Sequence, residues 1–341
     1  MSSRREFLKF AGAGAVAASV PTRTWAQAKY PAKITHLESA QQPRHQGLVR
    51  VAELVKERTK GEVEFNLFPA GQLGNARQLG EGVQFGSLEC TVSPVAFVAG
   101  FNPVVSVFDI PFLMPDDPQK FSDLRSSKFA DYVLESFKTR GLHGVVFWGN
   151  GRKQMTSNRP LESVKAFTGQ KFRVMDSKVL IQQFAGVDAN AIVVQFGELY
   201  TALQTGVIDG QENPLDTIAT MKFYEVQKHM ILSDHGVLLD VVLFNPGWWT
   251  KLPANHRKTI TDAFTEVQPM VDKLKSEAAD KALEQIKASG KVEIRKLTDA
   301  ERKAWRAEMQ PKAEAAYIQT AGAEGKKAIE LYREEAKRLG I

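Results

Sequence analysis

The strongest constraint on this chain is an alternation between helical and strand-like hydrophobic periods, which runs once through its first hundred residues and then recurs. Residues 34–37 read as a strand. Over residues 44–60, Leu48, Val51, Ala52 and Val55 fall on one helix face, closed by Gly61. Val63, Phe65 and Leu67 alternate with polar neighbours in a strand that stops at Pro69. Residues 75–85 fit a helix and 90–92 a short strand. This βαβαβ order predicts a mostly parallel sheet with helices on its faces.

The second round places strands at 144–148, 171–174, 191–194 and 209–212, with helical segments at 160–167, 179–185 and 197–204. A further strand at 237–244 leads into long charged helices. One covers residues 254–288, where Pro269 predicts a kink or break. Another opens on the capping box Thr298-Asp299-Ala300-Glu301 and runs towards Thr320. A third covers 325–339. Their basic residues have acidic neighbours three or four positions away, the pattern of solvated helix faces. Two α/β lobes followed by long helices predict a hinged cleft, with a small ligand bound at strand ends between the lobes.

Charge says more about destination than about partners. The 341 residues carry 45 Lys and Arg against 39 Asp and Glu, a net of +6. Four of the basic residues and one acidic residue lie in residues 1–28, which read as an export signal. Its parts are Ser3-Arg4-Arg5-Glu6-Phe7-Leu8-Lys9, a short run of small apolar residues, and Ala26-Gln27-Ala28 before a cleavage site near Ala28. The S-R-R-x-F-L-K string is similar to a twin-arginine signal, with an ordinary Sec signal as the alternative. Without that segment 41 basic and 38 acidic residues remain. No basic tract with interleaved aromatics survives, so a periplasmic protein that binds no nucleic acid is expected. The G-x-G-x-x-A string from Gly12 to Ala17 follows no strand and leaves with the signal.

Chemistry-bearing motifs are scarce. There is no G-x-S-x-G, H-E-x-x-H, phosphate-loop or EF-hand pattern, and six scattered histidines form no ligand spacing. Cys90 is the single cysteine, which excludes a disulfide framework and a cysteine-built metal site. Asp116 and Asp117 sit in a proline-bounded turn and read as turn formers. A glycosidase-type carboxylate pair needs no fixed spacing and stays open. No cofactor or metal is expected, and no enzymatic activity.

A few residues resist a bland reading. Arg173 sits in a strand between Phe172 and Val174. It is either bridged to a structural carboxylate or aimed at an anionic ligand, to which a guanidinium offers parallel donors. Lys153 follows Gly149-Asn150-Gly151 and could add a second positive charge. In Asp209-Gly210-Gln211-Glu212-Asn213-Pro214, Asp209 and Glu212 read as caps or turn residues, and Gln211 and Asn213 as candidates for the cleft.

The segment from Gly206 to Pro214, followed by Lys222-Phe223-Tyr224-Glu225-Val226-Gln227-Lys228, closely resembles the solute-binding proteins of tripartite ATP-independent periplasmic (TRAP) transporters. Pro69-Ala70-Gly71-Gln72-Leu73-Gly74, Thr156-Ser157-Asn158-Arg159-Pro160 and Lys171-Phe172-Arg173-Val174 match in order and spacing. The resemblance implies a two-lobed, type II-like periplasmic-binding-protein clam-shell with crossover strands and a long helix spanning both lobes. Residues 29–150 with about 239–278 would form lobe I, and 151–238 with about 279–341 lobe II. The implied ligand is an organic acid (a sugar acid, dicarboxylate or other carboxylate) delivered to TRAP membrane subunits. Position by position, Arg173 matches the arginine that grips the ligand carboxylate, and Asn213 the asparagine beside it. Phe196 matches an aromatic or apolar cleft position. The second basic position of sialic-acid-binding members falls on Lys153, next to Arg152, and lysine cannot make the arginine fork. Trp148, Pro94 and Asp240 fall where cleft residues vary, with a core Trp and a capping Asp as the competing readings. The alternatives are an ABC-importer binding protein, a sensory protein feeding a kinase, or an exported periplasmic enzyme.

Overall fold

The computed structural model describes residues 28–341, so the expected export signal, Ala28 apart, lies outside the described residues. The strands, in chain order, are β1 Tyr30–Thr35, β2 Val63–Phe68, β3 Cys90–Pro94, β4 His143–Ser157, β5 Lys171–Val174, β6 Asn190–Val193, β7 Gly210–Asn213, β8 His229–Phe244 and β9 Glu293–Lys296. They form one sheet in the order β2-β1-β3-β8-β4-β7-β5-β6, with β9 also on β8. β1, β2 and β3 run parallel at one end, and β5, β6 and β7 at the other. Two antiparallel strands, β4 and β8, cross between these ends.

The crossover strands are much longer than the alternation predicts. β4 continues past Trp148 to Ser157, and β8 starts at His229 rather than Val237. At roughly 3.3 Å per residue each spans about 50 Å, enough to belong to both lobes. Glycines and polar residues mask this continuity in the sequence. The ladder shifts register between Gly149 and Gly151, and again between Lys153 and Met155. Gly151 has a φ of +122°, and a Cβ on Gly149 would sit 2.7 Å from Asp272 Oδ1. Residues that break the strand signal are therefore what lets these strands bend and be closely covered.

Helices complete the two lobes. Asn75 and Gln78 close a capping box on the helix Ala76–Phe85, which ends on Gly86 in the left-handed conformation. The helix Ala254–Ser289 runs continuously through Pro269, so of the expected kink or break the break does not occur. Along it, Phe264, Val267 and Val271 pack with Ile34, Val51 and Val242 of the first lobe. Further on, Ala282 and Ile286 pack with Leu199, Ile218 and Phe223 of the second. The last helix, Asp299–Leu339, starts on the Thr298–Glu301 capping box and is interrupted at Gly322. Its first part, with Trp305 and Met309, joins the core of Phe172 and Phe184. Its later part, with Tyr317, Ile329 and Tyr332, joins Phe108, Phe129 and Phe147. Residues 312–320 still face Lys178, Ile181 and Gln182 of the second lobe, while those beyond the interruption at Gly322 pack on Phe129 and its neighbours in the first.

The helix Pro43–Arg58 lies so close to the long helix that a Cβ at Gly47 would be 2.4 Å from Val271 Cγ2 and 3.3 Å from Trp148 Cζ3. Both neighbours are fully buried and cannot swing away. Gly47→Ala is therefore expected to destabilise by about 1–3 kcal/mol through overpacking, seen as a lowered midpoint in thermal unfolding. An unchanged midpoint would mean that the two helices can separate freely.

Candidate functional site

Between the lobes lies a narrow cavity of about 20 Å³. Leu37, Pro94, Phe97, Met175, Phe196 and Leu238 form its apolar wall, and Glu38, Arg44, Asn150, Arg173, Asn213 and Thr217 its polar groups. That is room for a water molecule, so the jaws must part to accommodate anything larger. Both lobes and both crossover strands contribute. Asn150 and Leu238 face this cavity, while their neighbours Gly149, Gly151 and Val237 face a roomier one of about 330 Å³ on the opposite side of the hinge, as strand alternation requires.

Arg173 is the unusual residue. β5 is flanked by β6 and β7, with Arg173 opposite Ile192 and Gln211, so the side chain is 1% exposed. Nε donates to the Val194 carbonyl at 3.0 Å, and the guanidinium carbon lies 5.8 Å from the centre of the Phe97 ring. Nη2 is buried with no partner. Burial lowers the pKa to about 10, and the charge of Glu212 only partly offsets it. Among the described residues no carboxylate forms a salt bridge with Arg173, which removes the structural-bridge reading. Leaving such a group unpaired is costly. In the roomier cavity, by contrast, Arg125 and Arg152 are bridged to Asp272 (2.6 Å) and Asp116 (3.0 Å).

Asn213 stands two residues beyond Gln211 on β7 and reaches the cavity. Its Nδ2 donates to Gln211 Oε1 at 2.5 Å, Gln211 Nε2 donates to Thr156 Oγ1 at 3.0 Å, and Thr156 donates to Gln227 at 2.9 Å. Gln211 is fully buried behind the wall and orients Asn213 rather than lining the cleft, a correction to its expected place. Phe196 and Pro94 do line the cavity.

Four other expectations are corrected by burial and pairing. Lys153 is 1% exposed, with Nζ 2.5 Å from Glu212 Oε1. Glu212 Oε2 also accepts from Gln183 at 2.7 Å and contacts His235 Nε2 at 2.8 Å. Glu212 is thus a buried hub, not a turn residue. Burial alone would raise its pKa, but Lys153 and His235 outweigh that and hold it well below the usual carboxylate range. Lys153 is committed to Glu212 and lines neither cavity, and Arg152 faces the other one, where it also donates to the Pro115 carbonyl. Trp148 is a core residue, its ring centre 5.4 Å from that of Phe264 and its Nε1 donating to the Phe264 carbonyl at 3.0 Å. Asp240 accepts from Arg44 Nε at 2.7 Å and Nη2 at 2.5 Å, and from Asn150 Nδ2 at 3.0 and 3.1 Å. It positions two cavity residues from behind.

Those two, with Glu38, are the residues sequence reasoning missed. Glu38 lies 3.3 Å from both Arg44 and Lys275, and Lys275 bridges on to Asp216 at 2.7 Å. Burial would raise the Glu38 pKa, but Arg44 and Lys275 bring it down to about 2. The available signal was weak: a charged residue, Arg44, just inside a helix whose buried face also holds Leu48 and Val51.

A family model for bacterial extracellular solute-binding proteins, family 7 (DctP), matches residues 34–320. The chain belongs to this family. It is 33% identical over 283 residues to the C4-dicarboxylate-binding periplasmic protein DctP of Rhodobacter capsulatus, covering 82% of this chain and 84% of that protein. It is 33% identical to the 2,3-diketo-L-gulonate-binding periplasmic protein YiaO of Escherichia coli K12, covering 74% and 76%. Among solved structures, a TRAP periplasmic solute-binding protein from Desulfovibrio salexigens with bound orotic acid superimposes with a TM-score of 0.89 at 57% identity, covering 91% of this chain and 99% of that one. A Shewanella oneidensis TRAP protein with bound succinate gives 0.83 at 31% identity, covering 89% and 98%. The two-lobed TRAP solute-binding fold implied by the sequence is therefore the fold of this chain, and family membership replaces the ABC-importer alternative.

Within this TRAP fold Arg173 is buried unpaired and Lys153 is buried in a pair, and two variants separate the consequences. Arg173→Ala removes an unpaired buried charge, so the unliganded protein should keep its thermal midpoint or gain slightly while solute binding is lost. Lys153→Met strands Glu212 and should cost about 3–5 kcal/mol of stability. Calorimetric unfolding of both checks this. An Arg173→Ala protein that unfolds, or a Lys153→Met protein as stable as the parent, would reverse the assignment.

Proposed function

We propose that this TRAP solute-binding protein captures a planar heterocyclic acid of the orotate kind by closure of its two lobes and presents it to the membrane subunits of its transporter. The observation that carries the reading is the buried guanidinium of Arg173, without a counter-ion and lining the inter-lobe cavity beside Asn213. A ligand carboxylate supplies the missing charge and acceptors, a charge-assisted bond of roughly 1.5–3 kcal/mol net. Phe97, Phe196, Pro94 and Leu238 offer flat apolar surface to a ring. The 57% identical Desulfovibrio salexigens protein holds orotic acid, while the bound succinate belongs to a relative at 31% identity.

Closure supplies the rest of the affinity. The jaws meet through β4, β8 and the long helix, and contacts to a ligand from both lobes exist in the closed state alone. A differential affinity of a few kcal/mol shifts the open and closed populations decisively. No bond is made or broken in this mechanism. Residues 1–28 fit export to the periplasm followed by cleavage near Ala28, where such a receptor works.

Orotate at a hundred times its Kd should stabilise the protein by about 2.7 kcal/mol, a rise of several degrees in the thermal midpoint. A screen of organic acids that includes orotate, succinate and a sugar acid checks this. No shift with orotate alongside a clear shift with an aliphatic dicarboxylate would reject the heterocyclic-acid reading.

A further inference from the structure

Arg173 and Asn213 bring donors to the cavity from the second lobe. The first lobe and the hinge bring two acceptor atoms without partners, Glu38 Oε2 and Asn150 Oδ1, beside one unpartnered donor, Arg44 Nη1. Glu38 follows β1, and its carboxylate is buried. One oxygen, Oε1, is 3.3 Å from Arg44 Nη2 and 3.3 Å from Lys275 Nζ, and the other, Oε2, is unpartnered. Asn150 on β4 is fully buried, and its Oδ1 is likewise unpartnered. Its orientation follows from the geometry: both Asp240 oxygens accept from the Arg44 fork, so the amide nitrogen faces them and the amide oxygen faces away. Both residues line the cavity that Arg173 lines. In a protein interior, unpartnered acceptors on two well-held side chains are as informative as the unpartnered donor across from them.

We propose that Glu38 and Asn150 form a donor-reading end of the binding site, which accepts N–H or O–H groups of the solute and rejects a second carboxylate. The proposal rests on Arg173 as the carboxylate anchor and narrows the solute to acids that also donate hydrogen bonds, such as cyclic ureides and hydroxy acids. An aliphatic dicarboxylate fails on two counts. It has no donor for Glu38 Oε2 or Asn150 Oδ1, and its second negative charge meets the ionised Glu38. An aromatic acid without ring N–H groups fits the apolar wall but leaves both acceptors unpaired. A site built to hydrogen-bond polar groups discriminates strongly against ligands that lack them. Arg44 and Asp240 act here as positioning residues: Asp240 orients Arg44 and Asn150, and Arg44 in turn holds Glu38.

The test is titration calorimetry of the purified protein with orotate, succinate and nicotinate, the last an aromatic acid with no ring N–H at neutral pH. The unaltered protein should bind orotate at least roughly 100-fold more tightly than either of the others. Glu38→Gln removes the charge but keeps an oxygen acceptor, and should raise succinate affinity relative to orotate at least tenfold. Because Glu38 also pairs with Arg44 and Lys275, the wild-type series with N-methylated orotates gives an independent readout: each blocked N–H that faces an acceptor should cost at least tenfold. Equal affinity for all three acids, or an orotate-to-succinate ratio unmoved by Glu38→Gln, overturns the donor-reading end and leaves the Arg173 anchor standing. If none of the three binds, or if Arg173→Ala binds orotate as the parent does, the anchor itself fails and the inference falls with it.

Discussion

A buried guanidinium without a counter-ion is the constraint around which this molecule is organised. Arg173 lies in a short strand with parallel strands on both sides, so its backbone has no freedom to carry the charge to solvent. One carbonyl, that of Val194, and one aromatic face, that of Phe97, are what the protein gives it. Taking such a charge out of water costs several kcal/mol. In the proposed reading the fold retains that cost as a standing attraction for an anion, and a carboxylate arriving in the cleft would recover it.

The other buried cations near the hinge are treated differently. Arg44 is shared by Asp240 and Glu38, Lys275 by Glu38 and Asp216, and Lys153 belongs to Glu212. The first two groups form a continuous chain of charge. It runs from the first lobe at Glu38, through Lys275 on the long helix, to Asp216 in the second lobe. These pairs brace the closed arrangement and fix side chains at the cavity wall. Arg173 is the contrast: the same residue type as Arg44 and similarly buried, but left for something else to complete.

Much of this was legible in the sequence, and the failures have physical causes. Short strands and amphipathic helices announced themselves because one face of each is buried, so 63–67 and 75–85 were found with nearly correct bounds. β4 and β8 were cut in half because the missed part of β4 carries glycines, basic residues and amides, and that of β8 carries Ser233, Asp234, His235 and Gly236, residues that interrupt an apolar alternation. Pro269 predicted a kink or break, and the packing of the long helix on both lobes keeps it continuous. In the site, Arg173 stood out because a polar side chain within an apolar strand needs an explanation, and Asn213 through the polar run Asp209–Pro214 and the family resemblance. Lys153, Trp148 and Asp240 sit at equally suggestive positions, yet a lysine is silenced by one carboxylate 59 residues away in sequence, and no local pattern records that. Glu38, Arg44 and Asn150 were missed for the same reason: their meaning lies in partners contributed by distant segments.

The most direct test of this account is a crystal structure of the protein with orotate bound. The ligand carboxylate should lie within hydrogen-bond distance of Arg173 Nη2 and Asn213, with the ring against Phe97 and Phe196 and both lobes in contact with it. A carboxylate bound instead at Lys153, or in the cavity behind the hinge beside Arg125, would contradict the claim that the unpaired charge of Arg173 is what the molecule is built to satisfy.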